Sequence, residues 1–153
     1  MKLSTRARYG TRALLELALH QKEGPILLKD IAKRQQISLP YLEHLIAPLI
    51  AGRIIRSTKG TKGGISLARS LEEINLSEII QLLEGSVAPV DCVNHPDVCN
   101  RSEFCVTRDI WSELNMVMDK VLQSTTLHDL VERHRKKTQP EPTMYTYKRK
   151  EYR

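Results

Sequence analysis

Between Leu28 and Leu67 the chain reads as a short helix, a tight turn, a longer helix and a hairpin rich in glycine and lysine. No other feature limits the fold as strongly. In the first helix, Leu28 to Gln36, Ile31 and Ala32 share one face while Lys29, Lys33 and Arg34 share the other. Gln35-Gln36-Ile37-Ser38 makes the turn. In the next helix, residues 39–51, Leu42, Leu45, Ile46, Leu49 and Ile50 recur at helical spacing and should face the core, which leaves Tyr41, Glu43 and His44 outward. Ser38 can cap this helix, and Pro40 falls in its first turn, where a missing amide hydrogen costs little. Pro48, in mid-helix, is expected to kink the helix or end it early, and Gly52 to stop it. Arg53 to Ser57 and Gly64 to Leu67 are short strand candidates around a flexible basic tip, Thr58 to Gly63. Two helices across a short turn, then such a hairpin, make a winged helix-turn-helix.

The flanking segments are mostly helical. Residues 5–20 carry a wide apolar stripe, with Ser4 or Thr5 as the cap. Glu72 to Gly85 is a further helix ending at glycine. From Cys105 or Val106 to about Gln123, a long helix lines up Ile110, Trp111, Leu114, Val117, Met118, Val121 and Leu122. That stripe is long for so small a body, and dimerisation along it is the natural cover. Thr126 and Asp129 read as a capping box opening a last helix to about Lys136. The expected class is mainly α: a winged helix-turn-helix with a small two-stranded β-wing and a long dimerisation helix. Residues 1–70 form the DNA-binding part, 71–137 a cysteine loop with the dimerisation helices, and 138–153 a disordered basic tail.

Charge supports this division. The net charge of +6 is spread unevenly: residues 1–70 carry 13 Lys and Arg against 4 Asp and Glu, whereas residues 71–137 carry 7 against 12. A basic part joined to an acidic one suggests nucleic-acid binding by the first and a separate task for the second. No apolar run is long enough to span a bilayer, and the first residues lack a signal-peptide core, so a cytoplasmic protein with reduced thiols is expected. There is no nucleophile–base arrangement and no nucleotide-binding glycine loop, which argues against an enzyme.

The acidic part carries all three cysteines of the chain, Cys92, Cys99 and Cys105. An odd number cannot close as disulfides within one chain, and clustered reduced thiolates suit soft metals, iron–sulfur clusters or a redox switch. The spacing, C-x6-C-x5-C, matches neither a zinc ribbon nor the common ferredoxin runs. Three thiols leave one position to another group, and His95, Asp91, Asp97 and Asp109 are nearby. In the basic part, residues 39–51 would be the recognition helix, with Tyr41, Glu43 and His44 at its base-reading end. Glu43 can accept from a cytosine amino group, and His44 can donate to a purine N7 or a phosphate. Lys59 and Lys62 would lie over the DNA backbone or minor groove, with Gly60 and Gly63 allowing close approach. Arg6, Arg8, Lys33 and Arg53 are candidate phosphate contacts.

Four stretches together resemble the IscR/NsrR-type family of bacterial winged-helix transcription regulators. They are Leu3 to Gly10, Asp30 to Glu43, Lys59 to Ile65 and Cys105 to Trp111, and the likeness runs nearly end to end. The resemblance implies a homodimer on a two-fold symmetric double-stranded DNA operator, with Glu43 and its neighbours Pro40 and His44 discriminating bases and Lys59 serving in the wing. It also implies an iron–sulfur cluster, [2Fe–2S] or [4Fe–4S], on Cys92, Cys99 and Cys105. Its fourth ligand is open, with His95 or Asp109 as candidates. The function implied is repression of cluster-assembly or iron-related genes; the alternative is a cluster-free regulator responding through thiols or zinc. The first two cysteines lie one residue farther apart than in the typical IscR pattern. Pro40 and His44 replace the small polar residue and glutamine usual in the recognition helix, and two further positions depart from the family pattern. Arg108 stands where IscR-like members place a histidine ligand, and Arg8 where NsrR-like members use an aspartate.

Overall fold

The computed structural model describes residues 3–139, so most of the expected tail lies outside the described residues. Helix α1 (Thr5–Leu19) is capped by Ser4, whose hydroxyl accepts from the Ala7 amide at 3.3 Å. Helices α2 (Leu28–Gln35) and α3 (Leu39–Ala51) form the helix-turn-helix. Strands β1 (Ile55–Thr58) and β2 (Gly64–Leu67) pair antiparallel, with Ile55 opposite Leu67 and Thr58 opposite Gly64. Ile26, just ahead of α2, exchanges two backbone hydrogen bonds with Ile65 and so ties the wing to the helices. Then follow α4 (Leu76–Glu84), the short α5 (Asp91–Asn94), the long α6 (Val106–Ser124) and α7 (Leu127–Thr138). This is the expected mainly helical winged helix-turn-helix. Among the described residues no helix is long and apolar enough to cross a membrane.

One aliphatic core holds these elements together. Leu14 and Leu17 of α1, Ile31 of α2, Leu42, Leu45 and Leu49 of α3, Ile79 and Leu83 of α4, and Leu127 and Val131 of α7 are all buried in it. Each large side chain stabilises the fold by roughly 1.5–3 kcal/mol relative to an exposed position. Helix α7 reaches the core because the chain around Thr125 and Thr126 pairs with Ile74 to Leu76: Leu76 donates to the Thr125 carbonyl at 2.8 Å and Leu127 to that of Ile74 at 2.9 Å. Thr126 and Asp129 complete the expected capping box. Helix α6 differs from the others. It packs on α4 and α5 and has no fully buried residue.

The turn of the helix-turn-helix is built without glycine. Gln36 takes the left-handed conformation (φ 55°), and the Ile37 amide donates to the Ala32 carbonyl at 2.9 Å, closing the end of α2. The end of α3 repeats the device with Arg53 (φ 57°), where Ile54 donates to Leu49 and Arg53 to Ile50, both at 2.9 Å.

Several local expectations are corrected. Arg53 is therefore a helix cap and not the first residue of a strand. Gly52 caps the end of α3 as expected, with ordinary backbone angles, and a Cβ there would also collide with Leu82 of α4. Pro48 neither ends nor shortens α3, which continues to Ala51. The acceptor that loses its partner is the carbonyl of His44, on the exposed side of the helix. Ser38 occupies the cap position of α3 but makes no side-chain capping bond. Ile50 is exposed, not inward, and Tyr41 is half-buried, not outward. Helix α4 begins at Leu76, because Leu71 and Ile74 turn into the core and Asn75 caps the helix through the Glu78 amide. The cysteine loop is not featureless: α5 is followed by two short 3₁₀ turns, Pro96–Val98 and Ser102–Phe104.

Candidate nucleic-acid interface and thiol loop

The outward side of α3 carries Pro40, Glu43 and His44, all exposed. Their backbone is rigid because Leu42, Leu45 and Ile46 on the same helix are buried. Tyr41 turns back toward α1, where its ring meets Tyr9 edge to face with centroids 6.2 Å apart. That contact sets the first half of α1 beside the start of α3. The Arg8 and Arg12 guanidiniums lie 6.0 and 5.3 Å from the centre of the Tyr9 ring. Arg8 and Arg6 are exposed on α1, as is Lys33 on α2. Arg53 is exposed at the left-handed link between α3 and the wing. Lys59, Gly60 and Lys62 form the exposed wing tip. Gly60 has φ 110°, a conformation that side chains other than hydrogen resist, and the Gly63 amide closes the turn on its carbonyl at 2.9 Å.

Residues of α1 beyond those singled out from sequence position the helix-turn-helix. Arg12 donates through Nη2 to the Gln35 carbonyl at 2.8 Å and through Nε to its side-chain oxygen at 3.1 Å. Buried Glu16 accepts from Arg34 at 3.1 Å and from Gln35 Nε2 at 2.8 Å. Together they clamp the end of α2 to α1. The signal available in the sequence was a carboxylate, Glu16, inside the apolar stripe of the first helix. A charge there needs partners.

The thiol loop joins α4 to α6. Cys92 sits in α5 and is half-buried; Cys99 is exposed after the first 3₁₀ turn; Cys105 is half-buried and caps α6. All three are free thiols. The Cys105 thiol is held below its ordinary pKa, chiefly by the Thr107 hydroxyl 3.2 Å away and then by the Arg108 amide of the helix N-terminus. Asp109 opposes this shift. A lowered thiol pKa suits a metal ligand or a redox-active group. The donor chemistry thus fits a thiophilic metal or an iron–sulfur cluster, although among the described residues no three His, Cys, Asp or Glu side chains converge on one point. His95 and Asp109, the candidate fourth ligands, are exposed and join no such group. Arg108 donates to the Cys92 carbonyl at 2.8 Å.

The Rrf2 family profile, described as an iron-dependent transcriptional regulator, matches residues 3–133. The chain belongs to the Rrf2 family. Protein rrf2 of Nitratidesulfovibrio vulgaris is 46% identical over 131 residues, 86% of this chain and 87% of that one. Among solved structures, T. potens IscR superposes with a TM-score of 0.73 at 39% identity, covering 88% of each chain. CymR, named the global cysteine regulator of B. subtilis, superposes with a TM-score of 0.74 at 34% identity, covering 87% of this chain and 98% of that one. The resemblance to IscR-like regulators therefore holds, and the winged helix is that of a DNA-binding transcription regulator.

Proposed function

We propose that the protein is a cytoplasmic homodimeric repressor of iron–sulfur cluster assembly or iron-related genes, whose hold on DNA depends on a cluster bound by Cys92, Cys99 and Cys105. The observation that carries this reading is the placement of all the chain's thiols, free, on one polar loop packed against α6. Residues 1–70 read the operator, with α3 in the major groove and Lys59 and Lys62 of the wing on the backbone. Residues 71–137 sense and dimerise. Support for the dimer comes from α6, where Ile110, Leu114, Val117 and Val121 are 51%, 42%, 61% and 56% exposed along one stripe. Apolar exposure on that scale marks an interface.

When bound, an iron–sulfur group supplies an oxygen- and redox-sensitive link among three thiolates. Arginine is not a ligand for it, so the fourth position falls to His95, to Asp109 or to a group from outside the chain. Both [2Fe–2S] and [4Fe–4S] accord with three thiolates. Because the loop packs on α6, its arrangement is coupled to the helix that spaces the two recognition helices. Anaerobic purification followed by iron and acid-labile sulfide analysis tests the reading, with operator binding measured before and after cluster removal. Colourless protein holding one zinc per chain, or DNA affinity unchanged by cluster loss, defeats it.

The lowered pKa of Cys105 favours one second reading, a regulator that responds by thiol oxidation without a cluster. Cys92→Ala separates the two. DNA affinity unchanged by this substitution under anaerobic, reducing conditions would support the second.

A further inference from the structure

We infer that Arg108 is a positioning residue for the thiol loop, holding the backbone of its cysteine-bearing segments against α6 before any metal arrives. The inference deepens the metal-binding reading above. Arg108 lies in the first turn of α6, three residues after Cys105. A cation there opposes the helix dipole, whose N-terminal end is already positive. The placement is offset by what the guanidinium reaches. Its Nε donates to the Cys92 carbonyl at 2.8 Å, sixteen positions earlier, and its Nη1 to the Ser102 carbonyl at 3.5 Å.

Ser102 extends the network. It is the loop's buried residue, 7% exposed, and its hydroxyl lies 2.6 Å from the Pro96 carbonyl and 2.8 Å from the Cys99 carbonyl. Its amide also donates to Cys99 at 3.1 Å. The chain carrying Cys92, the chain carrying Cys99 and the approach to Cys105 are thus tied to one point on α6 through two side chains. Only arginine offers several donors in a fixed planar fork that can serve two carbonyls at once. A histidine at this position could bind metal through one ring nitrogen and donate from the other to a single carbonyl, but it could not serve both carbonyls. Arg108 in this chain gives up the ligand and keeps the loop ordered.

Amide hydrogen exchange on reduced, metal-free protein tests this, comparing wild type with Arg108→Ala, Arg108→Lys and Ser102→Ala. Arg108→Ala should speed exchange across residues 92–105 about tenfold, the loss of one to two hydrogen bonds, and leave α3 and α7 unchanged. Arg108→Lys, which keeps the charge but not the fork, should fall between. Ser102→Ala should loosen the stretch between Pro96 and Ser102. Unchanged loop exchange in both Arg108 variants overturns the inference, as does a uniform rise over the whole protein.

Cobalt(II) titration read by thiolate-to-metal charge transfer adds the metal side. Wild type should develop the band, and Arg108→Ala should bind cobalt about tenfold more weakly, in proportion to the order lost. Equal affinity would overturn the positioning role toward metal. If wild type shows no band while Arg108→Ala still loosens the loop, the metal reading fails and the role of Arg108 in ordering the loop stands.

Discussion

Between Ile26 and Ile65 eleven aliphatic side chains are buried, whereas between Asp91 and Cys105 the buried residue is a serine. The first stretch is the winged helix-turn-helix, the proposed DNA reader, and the second is the thiol loop. The reader is held by area removed from water, a diffuse force that tolerates no partial loosening of the helices it packs. The loop is held by a handful of hydrogen bonds to Arg108 and Ser102, each worth little on balance because water competes for it. A segment of that kind opens locally at low cost. The contrast accords with the proposed function, in which recognition geometry stays constant while the loop responds to a bound group. Helix α6 stands between the two regimes, packed on α4 and the loop but with an apolar stripe left uncovered.

This contrast can be broken in order of size. Leu42→Ala, at a fully buried position of α3, should lower the unfolding free energy by roughly 2–5 kcal/mol in chemical denaturation. A smaller loss would mean that the reader is less tightly packed than its burial implies. Glu16→Ala should cost about 1–3 kcal/mol, since it leaves Arg34 and Gln35 without their acceptor in a partly buried setting. It should also weaken DNA binding, because the turn before α3 loses its clamp.

Thr126→Ala should cost about 1 kcal/mol by removing the cap of α7. The same cap carries a pH signature. Asp129 is held below the ordinary aspartate pKa, first by the Thr126 amide and then by its hydroxyl. A depressed folded pKa contributes stability that is fully present above the unfolded value, about 3.9, and is lost as pH falls toward the lower folded value. The difference between wild type and Thr126→Ala should therefore shrink below about pH 4 in acid titrations followed by circular dichroism. A constant difference through that range would exclude the hydroxyl's share of the Asp129 shift, the amide's share being kept in the variant.

The smallest effects on folding belong to exposed groups. Cys99→Ala, and Lys59→Ala with Lys62→Ala, should each leave unfolding within about 0.5 kcal/mol of wild type. The wing variants should still reduce the salt dependence of DNA binding by about one unit of log–log slope per lysine, uniformly across sequences. A wing change that altered sequence preference instead would move base reading from α3 to the hairpin.

The chain's local signals were readable wherever neighbours in sequence decide the outcome. The apolar spacing of Leu42, Leu45, Ile46 and Leu49 placed the recognition helix, and Gly60 and Gly63 among lysines placed the wing. Thr126 and Asp129 announced a capping box because both partners of that bond lie within one turn. The cysteine cluster was legible as a candidate site, but Arg108 was legible only as a missing histidine. Its bond to the carbonyl of Cys92 spans sixteen residues and has no periodic signature. The partners of Glu16, eighteen and nineteen residues away on another helix, were invisible for the same reason.

Periodicity, turn residues and caps thus sufficed for the order of the main elements, because these arise from interactions within a few residues, while the family was legible only through the resemblance of four motifs. Tertiary packing set Leu82 against Gly52 at the end of α3, turned Tyr41 inward onto Tyr9, and let α3 run through Pro48. It also left α6 uncovered while burying α7. Such outcomes depend on which surfaces meet once helices are brought together, and contact across tens of residues obeys shape and burial rather than spacing along the chain.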